Sequence, residues 1–254
     1  VKPRASRALA AAGALLLATG AGWWWTVRPL LTPAERGRRL AERTGCFACH
    51  GPEGSRGAPN PGRQDGAVPT FGSELMMFAA DDREIREWIE FGVTTARAES
   101  ETWREQRDAG ALRMPAFGDR LSDSQIDDLV AFVRAVNGAP EPTDSLALAG
   151  RGAASRLGCF GCHGAGGRFA RPNPGSLKGY VPAWDGRDFP DLVRSRAEFD
   201  EWVRDGRSVR FARNPAARLF LDRAALRMPA YRDHLQAGDL DALWAYARWL
   251  RSGS

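Results

Sequence analysis

The chain has 254 residues, 43% of them hydrophobic and 26% charged, a composition that fits folded soluble protein and leaves room for two small domains. Its net charge of +5 is unevenly spread: residues 1–43 carry +6, residues 44–140 carry −6 and residues 141–254 carry +5. The acidic middle excludes a continuous phosphate-binding stripe, so no nucleic acid partner is expected, and the four cysteines are too localised to form a disulfide framework.

In chain order, the first element is an uncharged run from Ala8 to Val27, bracketed by Arg7 and Arg28 and preceded by Lys2 and Arg4. About twenty apolar residues suffice to cross a bilayer, and basic residues before the run place the N-terminus on the cytoplasmic side. Trp23-Trp24-Trp25 would then sit at the outer interface. A cleaved secretory signal is the alternative, with small residues at Thr19-Gly20-Ala21, but the apolar run continues past that point through the tryptophans. Residues 1–31 are therefore expected to be a transmembrane anchor, with the remainder of the chain outside the cytoplasm.

Beyond residue 31 the sequence repeats itself. Cys46-Phe47-Ala48-Cys49-His50-Gly51 returns 113 residues later as Cys159-Phe160-Gly161-Cys162-His163-Gly164. Pro59-Asn60-Pro61-Gly62 returns as Pro172-Asn173-Pro174-Gly175, Val68-Pro69 as Val181-Pro182, and Leu112-Arg113-Met114-Pro115-Ala116-Phe117 as Leu226-Arg227-Met228-Pro229-Ala230-Tyr231. Such self-similarity predicts two copies of one fold. The boundaries read as 32–138 and 144–254, joined by a Pro-rich linker at 139–143.

Each copy reads as helical. Thr32-Pro33-Ala34-Glu35 has the pattern of a capped helix start. Ile85, Trp88 and Ile89 place a helix over 82–91, stopped by Gly92, and its counterpart runs from Ala197 to Asp205 before Gly206. Ser122 and Gln125 form a capping box for a helix bearing Ile126, Leu129, Val130, Val133 and Val136, matched in the second copy by Leu240, Leu243, Trp244, Ala247 and Leu250. Long Gly/Pro-rich loops such as 51–72 need something to pack against, and a buried cofactor would supply it.

Cys-x-x-Cys-His is the attachment spacing of c-type haem: two thiols one helical turn apart bond the porphyrin vinyl groups and the adjacent histidine faces the iron. Cys46, Cys49 and His50 would hold one haem, and Cys159, Cys162 and His163 a second. A zinc site would need four ligands per copy, and a thioredoxin-like pair a βαβ context; neither is present in the sequence.

On these motifs each half resembles a class I cytochrome c domain, so the expected architecture is all-α, with two tandem cytochrome c-like domains after the anchor. The resemblance implies two covalently attached haem c groups, a methionine as sixth iron ligand, and electron transfer rather than catalysis. Met114 and Met228, lying 64 and 65 residues after His50 and His163, are the candidate ligands. A Met/His haem is closed and suited to moving single electrons, whereas a dihaem peroxidase, the alternative, needs one open position.

The resemblance also implies a proline carbonyl behind each histidine; Pro59 and Pro172 match best, with Pro61 and Pro174 as alternatives. Arg113 and Arg227 are candidate propionate partners. Trp88, Trp184, Trp202, Phe71, Phe117 and Tyr231 are candidate cofactor-packing aromatics, Met76 and Met77 are expected packing residues, and His234 is expected at the surface or near a propionate. The expected role is a membrane-tethered dihaem carrier at the outer face of a bacterial cytoplasmic membrane. Its partners would be donor and acceptor proteins of a respiratory or photosynthetic complex, which oppositely charged domains would help to select.

Overall fold

The computed structural model describes residues 3–28, 31–138 and 141–252, without the side chains of 3–11, 26, 27 and 73. The expected linker residues 139 and 140, and residues 1, 2, 29 and 30 of the expected anchor, therefore lie outside the described residues.

The chain opens with α1 (Pro3–Val27), on which Leu15, Leu16, Leu17, Trp24 and Trp25 are exposed. Trp23 lies 6.3 Å, centroid to centroid, from Phe220 in the second repeat. Among the described residues no helix is long and apolar enough to cross a membrane, and the side chains at both ends of the expected span fall outside the description.

The first repeat contributes α2 (Pro33–Arg43), α3 (Cys46–His50), α4 (Asp82–Phe91), α5 (Thr95–Glu99), α6 (Glu101–Ala109) and α7 (Asp123–Asn137). The caps are those the sequence predicts. Thr32 and Glu35 exchange backbone and side-chain hydrogen bonds at the start of α2, Ser122 and Gln125 do so at α7, and Gly92 ends α4 in the left-handed region. Ile126, Leu129, Val130 and Val133 are buried on α7, each such side chain contributing about 1.5–3 kcal/mol on burial.

The second repeat follows with α8 (Ser145–Arg156), α9 (Cys159–His163), α10 (Phe189–Leu192), α11 (Arg196–Asp205), α12 (Val209–Arg213), α13 (Pro215–Arg223) and α14 (Asp239–Ser252). α2 packs on α7 as α8 packs on α14. These crossings are close enough to require glycine: a Cβ at Gly37 would lie 1.8 Å from the Asp128 carbonyl oxygen, and one at Gly150 would lie 1.9 Å from that of Ala242.

Three features depart from the sequence reading. A short antiparallel pair, β1 (Arg171–Pro172) and β2 (Tyr180–Val181), interrupts the all-α pattern, because the loop after α9 doubles back on itself; the first repeat has only an isolated bridge, Pro59 with Ala67. Helices α5, α6, α12 and α13 fill segments with no apolar stripe to announce them. Met76 and Met77 are not packing residues: they are 55% and 65% exposed on a 3-10 turn, since that turn buries Leu75 instead.

The repeats also share an interface. Phe169, from the loop after α9, is fully buried in the hydrophobic cluster of the first repeat. Beside it the Ala170 N–H donates to the buried Glu35 carboxylate, and Arg171 grips both oxygens of Glu53. The last pair joins the basic repeat to the acidic one, so charge separation along the chain helps to hold the halves together.

Candidate haem sites

α3 and α9 are single turns entered through left-handed Gly45 and Gly158. Residues three apart on one turn share a side, so each pair of cysteines faces one wall of a cavity. Cys46, Cys49, His50 and Met114 line a cavity of about 210 Å³ in the first repeat. Cys159, Cys162, His163 and Met228 line one of about 430 Å³ in the second. The sequence motifs, more than sixty residues apart in each copy, thus meet around one space. All four thiols are free; burial raises the pKa of Cys46 and pushes Cys159 up to about 11.

The histidines are oriented from behind. His50 Nδ1 donates to the Pro69 carbonyl at 2.8 Å, and His163 Nδ1 donates to that of Pro182 at 2.9 Å. That bond fixes the tautomer and leaves Nε2 as a lone-pair ligand. Burial holds both imidazoles below the usual histidine pKa, outweighing the carbonyl bond, and so favours the neutral form that binds metal. Phe71 backs His50 with ring centroids 4.6 Å apart, and Trp184 backs His163 at 5.4 Å.

The expected proline is therefore corrected. The Pro61 and Pro174 carbonyls accept from Ala111 and Ala225, each at 2.9 Å, and so hold the methionine loop instead. Asn60 N–H donates to the Gly66 carbonyl at 2.8 Å, reversing the loop and returning Val68-Pro69 over the histidine; Pro59 is taken up in the bridge to Ala67.

Asparagines in the same loop were not singled out by the sequence reading. Asn60, 2% exposed, accepts from Leu112 N–H at 2.8 Å and donates to Leu112 O at 3.0 Å, two residues before Met114. Asn173 holds Leu226 at the same two distances, two residues before Met228. The repeated Pro-Asn-Pro-Gly was their signal, but only the fold shows what it clasps.

All six expected aromatics line the cavities. Trp88 and Trp202 donate their indole N–H to the Phe78 and Leu192 carbonyls at 2.9 Å, and pack on Trp103 and Phe211 from the unforeseen helices. Arg113 and Arg227 border the cavities and also bond the carbonyls of Asp108 and Asp222. His234 is exposed and lines neither cavity. In the second repeat Lys178 and Tyr180 both donate to Asp188 at the cavity edge, where the first repeat has Asp65 and Ala67.

The donor set suits haem c. Each cavity is predominantly apolar and presents two thiols, one imidazole nitrogen and one thioether. Among the described residues no group of three or more His, Cys, Asp or Glu converges on a point, so a zinc site lacks its ligands. Residues 34–137 match the family model of cytochrome c. The first repeat is thus similar to a cytochrome c domain. A cytochrome c domain carries covalently attached haem c and transfers electrons to and from redox partners; the match covers α2 to α7, and the second repeat lies beyond it. No curated protein matches the chain. A solved chain of the reducing HAO-like protein complex of Kuenenia stuttgartiensis aligns over 87% of this chain and 96% of its own, at 17% identity and a TM-score of 0.28, too low to carry an argument.

Proposed function

We propose that the chain is a dihaem c-type cytochrome with tandem domains at 32–138 and 144–254, moving single electrons between redox partners. The observation that carries this reading is the duplicated donor set: Cys46, Cys49, His50 and Met114 around one cavity, and Cys159, Cys162, His163 and Met228 around the other. A bound haem would supply a one-electron iron couple. The chain's part is to attach it through the thiols, to aim Nε2 by holding Nδ1 on a proline carbonyl, and to present the thioether through the asparagine clasp. A methionine lining each cavity would occupy the sixth position of a bound iron and leave peroxide no open site, which favours a carrier over a peroxidase.

We place the carrier at the outer face of a bacterial cytoplasmic membrane, anchored by the N-terminal segment, as a tethered protein or subunit of a respiratory or photosynthetic complex. This rests on the twenty uncharged residues from Ala8 to Val27, the basic residues before them, and the exposed leucines and tryptophans of α1. Fractionation of cells producing the full chain tests it: the protein should leave the membrane with detergent and remain there in high salt. Pyridine haemochrome assay of the purified protein should give two haems per chain, and one would remove the second site.

A further inference from the structure

A run of packed rings leads from His50 across the interface to Phe169, whose backbone is bonded to that of His163. Phe71 packs on His50, and Phe132 lies 6.0 Å from Phe71, edge-on. The next ring belongs to the other repeat: Phe169 lies 5.5 Å from Phe132, and both are 0% exposed. The Phe169 N–H donates to the His163 carbonyl at 3.2 Å, which ties the far end of the run to the second haem site.

The repeat shows that this side chain is a departure from the shared pattern. At the equivalent place in the first repeat, Arg56 N–H donates to the His50 carbonyl at 3.3 Å, and Arg56 is exposed. The backbone geometry is kept while arginine gives way to a buried phenylalanine. The surroundings hold that ring in place: Ala170, next in sequence, donates to Glu35, and Arg171 pairs with both oxygens of Glu53. Glu53 keeps φ at 55°, where its counterpart is Gly166 at 59°, a conformation disfavoured for any residue with a Cβ.

We propose that Phe169 closes a fixed route between the two haem sites, running His163, Phe169, Phe132, Phe71, His50, along which one electron passes from a ferrous to a ferric haem iron. The proposal rests on the dihaem reading. One iron is oxidised and the other reduced; no proton moves and no bond forms or breaks. A packed interface matters because electronic coupling falls more steeply across a void than through atoms in contact, and an interior without voids keeps those contacts.

The test uses the full-length holoprotein with Phe169→Leu and, separately, Phe132→Leu, which keep the core apolar while removing one ring. Ile126→Ala serves as comparison, because Ile126 is buried in the same cluster but lies off the route. Haems per chain, the paramagnetic resonance spectrum and the rate of interhaem electron redistribution after rapid photoreduction are measured together. The proposal expects two haems in every variant, an unchanged spectrum in Phe169→Leu, which lines neither cavity, and redistribution slowed by an order of magnitude in both phenylalanine variants, with the wild-type rate in Ile126→Ala. A wild-type rate in Phe169→Leu with both haems present overturns the route, as does equal slowing in Ile126→Ala. Fewer than two haems in the wild type overturns the dihaem reading itself, and the haem count distinguishes that failure from the others.

Discussion

The Asn60 carboxamide clasps both the N–H and the C=O of Leu112, joining the loop behind the first CxxCH to the loop that carries Met114. Because the asparagine is buried, Asn60→Ala leaves two backbone groups unpaired, at about 1–3 kcal/mol each. Urea unfolding of the variant should show a stability loss of about 2 kcal/mol or more. Resonance spectroscopy should show the low-spin signal of one site broadened while the other is kept. A loss within about 0.5 kcal/mol, the range of an inconsequential surface change, would mean that the clasp is dispensable.

The methionines should act one per site. Met114→Ala and Met228→Ala are each expected to convert one haem from low spin to high spin or to a low-potential form, leaving the other unaltered. If both haems change in either variant, or neither does, the assignment of one methionine to each cavity is wrong.

A pH dependence follows from the interface. Burial, opposed by the Thr32 and Ala170 N–H bonds, raises Glu35 from 4.5 to about 7; Asp185 adds to the rise and Arg39 offsets it. Asp185 is itself raised from 3.8 to about 6, chiefly by burial, against the pull of Arg168 and Arg251. Between about pH 4 and pH 7 the folded chain therefore holds more protons at these two carboxyls than the unfolded chain, so their contribution to stability falls as pH rises. For Glu35 the change amounts to about 3 kcal/mol at most. Glu35→Gln, which resembles the protonated acid, should remove its part of the slope when thermal unfolding is followed from pH 4.5 to pH 7.5. An unchanged slope would contradict the shift.

The helix crossings should be intolerant of a single methyl group. Gly37→Ala places a Cβ against the Asp128 carbonyl, where backbone rather than a pliant side chain must move, and overpacking of this kind costs about 3 kcal/mol. Gly152, with open space around it on the same helix as Gly150, should accept alanine without loss. Equal behaviour of Gly37→Ala and Gly152→Ala in denaturant unfolding would refute the close approach.

Local signals in the sequence were legible where one residue determines its neighbours. Thr32 with Glu35 and Ser122 with Gln125 predicted their caps, Gly92 and Gly206 their helix ends, and the cysteine spacing its one-turn helix. What was not legible depends on residues far apart. The proline behind His50 was misassigned because the loop reverses at Asn60, a turn fixed by a bond to Gly66 rather than by proximity to the histidine. α6 carries one buried residue, Trp103, and so has no stripe to read. Phe169 has no partner ring within its own stretch of chain: what buries it is Phe132, thirty-seven positions earlier in another repeat.

The most direct test of the account is a redox titration of the purified full chain, followed by electron paramagnetic resonance of its oxidised form. Two low-spin haems per chain, both at the raised potentials of Met/His ligation, are predicted. A high-spin or strongly low-potential haem at either site would contradict the duplicated donor set and reopen peroxide chemistry there.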